Sequence, residues 1–133
     1  MDLSDATIGQ LMIPIEDFDR GVAFYKDVLG LPLLFSAPPQ MAFFMCGSVR
    51  MMVGVMPVGT PTQRGSGIYF KVDDIRGTAA SLSAKGAAFL TVPHLVHRTP
   101  ATELWLAEFS DPDGNRMALM SELPVMTMEE VGV

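Results

Sequence analysis

The sequence predicts an α+β protein assembled from two similar halves, each running strand, helix and then three strands. Three observations carry that prediction. The segment from Gln10 to Tyr25 matches the segment from Gly67 to Leu82 in pattern, at a constant offset of 57 residues. Each copy passes from an extended apolar run through an acidic pair, Glu16-Asp17 or Asp73-Asp74, into a helical stripe. Clusters of glycine, proline, asparagine and aspartate then divide the remainder into runs of strand length.

In the first half the extended run ends at Ile15, and Phe18, Val22, Tyr25 and Leu29 follow at helical spacing. Ile75, Ala79 and Leu82 repeat the same steps in the second half. Asp17 and Asp74 are natural N-caps, because a carboxylate there accepts from the first unbonded backbone N–H groups and suits the helix dipole. Gly30 and Gly86 can end the helices in the left-handed conformation. Strand-like runs follow at Leu33 to Ser36, Met41 to Cys46 and Arg50 to Met56, and again at Ala88 to Val92, Thr102 to Phe109 and Arg116 to Met120. Gly47-Ser48 fits a tight hairpin, and Asp111-Pro112-Asp113-Gly114-Asn115 is a stronger hairpin signal. Residues 57–66 are rich in turn formers and read as a linker, and the chain from Ser121 onward reads as a tail.

A length of 133 residues with 49% hydrophobic and 18% charged content predicts one domain: a first module over about 7–56, a linker over 57–66, a second module over about 67–122 and a tail over 123–133. The lone Cys46 excludes an internal disulfide, and the first ten residues lack the features of a secretory signal, so a reducing cytoplasm is expected. Every apolar run is broken before the roughly 18 to 20 residues of a membrane span. The net charge of −6 argues against nucleic acid and mildly favours neutral or cationic guests.

The strand ending Ile15-Glu16-Asp17 before FYKDVLGL, the repeat opening YFKVDDI and the closing FSDPDGNRMAL together resemble the vicinal oxygen chelate superfamily. That superfamily includes glyoxalase I, bleomycin-resistance proteins and extradiol dioxygenases. The resemblance covers about residues 7–122. It implies two tandem βαβββ modules forming a curved, partly open mixed sheet with helices on the outer face, and a homodimer. One fold hosts many chemistries, so it says less about function.

Metalloenzymes that the chain resembles place His, Gln or Glu ligands at four equivalent strand positions, which match Gln10, Met52, Gly67 and Ala118 here. Of these only Gln10 offers an oxygen donor, whereas a zinc, nickel or iron ion needs three or four N, O or thiolate donors. A slip of one residue does not restore the set, because Leu11, Met51, Val53, Ile68, Met117 and Leu119 are apolar, Gly9 has no side chain and Ser66 is a weak donor. No metal and no cofactor are therefore expected. His94 and His97 remain as possible ligands, with Glu103 or Asp111 as helpers. Their odd separation points them to opposite faces of a regular strand.

No nucleophile stands out: Cys46 lacks the surroundings of an activated thiol, no G-x-S-x-G elbow occurs, and Gly65-Ser66-Gly67 lacks the lysine and helix of a phosphate loop. The acidic pairs read as caps and not as acid–base machinery. Glu108 interrupts the apolar run LWLAEF; it is either an edge glutamate in water or a cavity-facing group paired with Arg50 or Lys71.

Period-two alternation, phased on the four matched positions, sends Gln10, Met12, Arg50, Met52, Met56, Gly67, Tyr69, Lys71, Arg116, Ala118 and Met120 to one face. Leu11, Ile13, Ile15, Ile68, Phe70, Val72, Met117 and Leu119 take the other and should pack beneath the helices. Methionine-rich walls suit an aromatic or apolar guest; the competing reading is that Met12, Met52 and Met120 fill a closed core. The expected ligand-binding set is Gln10, Met12, Arg50, Met52, Tyr69, Glu108, Ala118 and Met120. The leading function is a metal-independent small-molecule-binding protein. A metal-dependent lyase or dioxygenase with a non-standard ligand set is the alternative, and a regulatory subunit using the tail from Pro124 is a third.

Overall fold

The protein is represented by a computed structural model, which describes residues 2, 4, 5, 7–58 and 67–125. It divides into two compact units, Met1–Arg64 and Gly65–Val133.

In the first unit β1 (Gln10–Ile15) leads into α1 (Phe18–Ala23), followed by β2 (Leu33–Ala37), β3 (Met41–Cys46) and β4 (Val49–Val55). The sheet order is β1-β4-β3-β2, with β1 parallel to β4 and the other pairs antiparallel. Asp17 caps α1 as predicted, its carboxylate accepting from the Arg20 amide at 3.0 Å. The helix then loosens into a π-helical turn, Phe24–Val28, where the Leu29 amide donates to the Phe24 carbonyl at 3.0 Å. Gly30 ends it at φ 71°.

That turn changes which residues face inward. Phe18, Val22 and Leu29 are only half-buried, while Gly21, Phe24 and Tyr25 are buried. A β-carbon at Gly21 would fall 3.2 Å from the Ile15 Cβ, so the missing side chain lets α1 lie directly on β1. Tyr25 then reaches the Phe44 ring at 6.0 Å, in a core with Ile13, Ile15, Ala42, Met51 and Val53.

The second unit comprises β5 (Ile68–Lys71), α2 (Ile75–Ala84), β6 (Ala88–Phe89), β7 (His94–Arg98), β8 (Thr102–Ser110) and β9 (Arg116–Pro124). β5 runs parallel to β9, β9 pairs antiparallel with β8, and β6 and β7 both pair with the other side of β8. Asp74 caps α2 through the Gly77 amide at 3.0 Å, and Ile75, Ala79 and Leu82 are its buried face, as the spacing predicts. Gly86 follows at φ 104°.

Two strand boundaries differ from expectation. The run Ala88 to Val92 forms a strand only over Ala88–Phe89, because the Leu90 and Thr91 amides both turn onto the Glu108 carbonyl and the regular ladder is lost. Pairing resumes in β7, which the alternation did not reveal. β9 also continues past Met120 to Pro124: Ser121 is fully buried, its hydroxyl donating to the Val72 carbonyl at 2.7 Å, and Pro124 pairs with Thr102. Of the expected linker, residues 59–66 lie outside the described residues, as do residues 126–133 of the expected tail. Among the described residues no helix is long and apolar enough to cross a membrane.

Each unit thus lays its helix on one sheet face. The opposite, distal face carries the residues that the alternation assigned to ligand binding.

Candidate functional site

On the distal face of the first sheet the register sets residues in rows. Gln10 pairs with Arg50 and Arg50 with Met45; in the next row Met12 pairs with Met52, Met52 with Phe43 and Phe43 with Phe35. Met12 is 41% exposed, while Met52 is half-buried. Phe35 and Phe43 stack with centroids 4.5 Å apart. Arg50 donates from Nε to Gln10 Oε1 at 2.6 Å and holds its guanidinium 5.7 Å from the Phe43 ring centroid. Both partners are neutral. Among the described residues no carboxylate pairs with Arg50.

The second sheet presents a depression of about 180 Å³ lined by Gly67, Tyr69, Glu108, Arg116, Met117 and Ala118. Small side chains at Gly67 and Ala118 leave its floor low, and Tyr69, 56% exposed, forms a wall. Glu108 is half-buried and accepts from Arg116 at 2.9 Å. Its partner is therefore Arg116 and not Arg50 or Lys71. Glu108 stands opposite Ala118, two residues from Arg116 on the same face, and such diagonal neighbours across a strand pair are within reach of long side chains. Met120 lies farther along the face, between Lys71 and Leu106 in register.

The chain's repeat is visible in these contacts. Each module sets an arginine near the start of its last strand, two residues before the positions Met52 and Ala118. In the first module that arginine meets an amide and an aromatic ring; in the second it meets a carboxylate.

The donors for a metal do not fit. Gln10 spends its oxygen on Arg50, and Met52, Gly67 and Ala118 supply no hard donor. His94 and His97 require a correction: they share a face. A bulge between Leu95 and His97 leaves Val96 unpaired, so His94 stands opposite Leu106 and His97 opposite Leu104, two residues apart on β8. His94 Nδ1 lies 2.7 Å from the Val92 carbonyl. The helpers are engaged elsewhere, Glu103 with Arg98 and Asp111 in the β8–β9 turn. Among the described residues no group of three or more His, Cys, Asp or Glu side chains is placed to hold an ion.

Cys46 ends β3 half-buried, and burial pushes its thiol pKa above the ordinary value. The thiolate is the reactive form, so a raised pKa keeps the group protonated and slow at neutral pH. Alkylation by iodoacetamide should be slower at pH 7 than for a free cysteine peptide and accelerate as pH rises past the peptide's own midpoint; mass spectrometry of timed samples measures this. Equal rates at pH 7 would contradict the shielding. The paired acids behave as caps: Asp17 and Asp74 each hold a helix-first-turn amide.

Phe35 and Phe43 share the distal face with the expected ligand-binding set, and the sequence reading left them out. The alternation Met41, Phe43, Met45 on β3 carries the signal, but that strand bears none of the four matched positions that fix the inward face.

A family model described as Glyoxalase/Bleomycin resistance protein/Dioxygenase superfamily matches residues 7–119. The chain is 28% identical over 127 residues to the uncharacterized protein YraH of Bacillus subtilis (strain 168), covering 86% of this chain and 97% of that one. Among solved structures it is similar to TnmS3, an antibiotic binding protein from Streptomyces sp. CB03234, with TM-score 0.71 and 22% identity, over 93% of this chain and 100% of the other. It is also similar to lactoylglutathione lyase from Agrobacterium tumefaciens, with TM-score 0.66 and 20% identity, over 87% and 93% of the two chains. These likenesses establish a fold shared by an enzyme and a binding protein.

Proposed function

The chain belongs to the glyoxalase/bleomycin resistance protein/dioxygenase superfamily, and from that premise we propose that it is a metal-independent protein that binds an apolar or aromatic small molecule. The observation that carries this reading is the chemistry of the distal faces. Where a metalloenzyme needs convergent hard donors, this chain sets methionine, phenylalanine and small residues around a few oriented polar groups. The ligand contacts are Gln10, Met12, Arg50 and Met52 in the first module and Tyr69, Glu108, Ala118 and Met120 in the second. The antibiotic-binding relative supports a role that needs no catalytic residue. The two modules act as one domain, in a cytoplasmic homodimer.

One observation favours a second reading, a metal-dependent lyase or dioxygenase with a non-standard ligand set: His94 and His97 face the same way. Elemental analysis of the purified protein after incubation with zinc, nickel, iron and manganese salts and desalting decides between them. The binding-protein reading expects far less than one ion per chain, together with thermal stabilisation by aromatic compounds. A specific ligand at about one hundred times its Kd adds about 2.7 kcal/mol to the stability of the state it binds. An ion held at one per chain and lost on replacing His94 or His97 would overturn the metal-independent reading and favour the metal-dependent one.

A further inference from the structure

The two modules give their equivalent arginines different company, and the difference specifies the guest. Arg116 is neutralised by Glu108 at 2.9 Å. Arg50 meets no carboxylate among the described residues: Gln10 Oε1 accepts a hydrogen bond from its Nε at 2.6 Å, and its guanidinium carbon lies 5.7 Å from the Phe43 ring centroid. With Nε engaged by Gln10, the terminal nitrogens remain, and their planar pair of N–H donors matches the two oxygens of a carboxylate. Beside that edge, on the same face, run Met12, Met52, Phe43 and Phe35 in register, an apolar row that is partly exposed.

Building on the binding-protein reading, we infer that the guest of the first module is an aromatic carboxylate, its anion paired with Arg50 and its flat body lying on Met52 and Met12 beside the edge of the Phe43 ring. The net charge of −6 points toward a cationic guest only at long range. Exposed charges farther than about 8 Å are largely screened at physiological salt, so the contact with Arg50 decides. The apolar row beside the guanidinium displaces water from one side of the ion pair and strengthens it.

The test is a calorimetric titration of the full chain at fixed ionic strength with three probes of one shape: 2-naphthoate, its neutral amide 2-naphthamide, and the 2-naphthylmethylammonium cation. Naphthoate should bind about tenfold more tightly than the amide, the gain expected of a hydrogen-bonded charge, with the cation weakest. Arg50→Gln should abolish the preference for naphthoate over the amide. Gln10→Ala, which keeps the charge but releases Nε, should lose part of the preference. Lys85→Gln removes the same charge at the end of α2 and should leave the preference intact; circular dichroism confirms that each variant is folded. Equal binding of all three probes, or a preference that survives Arg50→Gln, overturns the carboxylate assignment while the binding-protein reading stands. Failure of all three probes to bind counts against both.

Discussion

Replacing Phe44 with alanine should cost about 3–5 kcal/mol of stability, the range for truncating a buried phenylalanine that leaves a cavity behind. Phe44 has no exposed surface and sits in the middle of β3, between the Tyr25 ring and the β4 residues Met51 and Val53. Its neighbours are held by the sheet register on one side and by α1 on the other, so they collapse only partly into the space. The same strand carries Phe43 on its distal face, so loosening β3 should also weaken binding of aromatic probes. Urea denaturation followed by circular dichroism gives the stability change. A loss below about 1 kcal/mol would mean that the first core repacks freely, contrary to the close-packed behaviour of protein interiors.

Asp111→Ala should be the most damaging single change in a turn, at about 2–3 kcal/mol, because it removes a charged acceptor from several donors at once. The Asp111 side chain is buried and receives the amides of Asp113 at 2.9 Å and Asn115 at 2.8 Å and the Asn115 side-chain amide at 2.7 Å. Gly114, at φ 84°, completes the reversal. The turn sets the β8–β9 register and hence the Glu108–Arg116 pair. Asp111→Asn, which keeps an acceptor oxygen without the charge, should recover part of the loss. If both variants melt with the wild type, the turn is held by something other than this side chain.

Much of the fold was legible because its signals are local. The capping aspartates, the left-handed glycines and the four-then-three spacing of α2 depend on residues a few positions apart, and each lies where the pattern puts it. The π-helical turn, in which Phe24 and Tyr25 are both buried, was not legible in a spacing read as regular α-helix. Within each sheet the alternation correctly sorted Ile13, Ile15, Met117 and Leu119 beneath the helices. It failed where a strand departs from period two. The bulge at Val96 reversed the expected relation of His94 and His97, and nothing in HLVHR announces it. Contacts between strands were hardest to foresee. Arg116 reaches Glu108 and Arg50 reaches Gln10 because of register, which a residue's own neighbours along the chain do not encode.

The irregularities on β2 and β7 have a consequence beyond the site. β2 and the broken β6–β7 line form outer edges of their sheets and carry exposed apolar side chains: Leu34, Phe35, Val92, Leu95 and Val96. A straight, greasy edge of that composition would be a template for intermolecular strand addition and fibril growth. The ladder is interrupted on both, between Leu33 and Phe35 and between Leu95 and His97. A bulge bends the strand and spoils the even row of donors and acceptors that an incoming chain would copy. The chain can therefore keep its outer rims apolar without offering them for polymerisation.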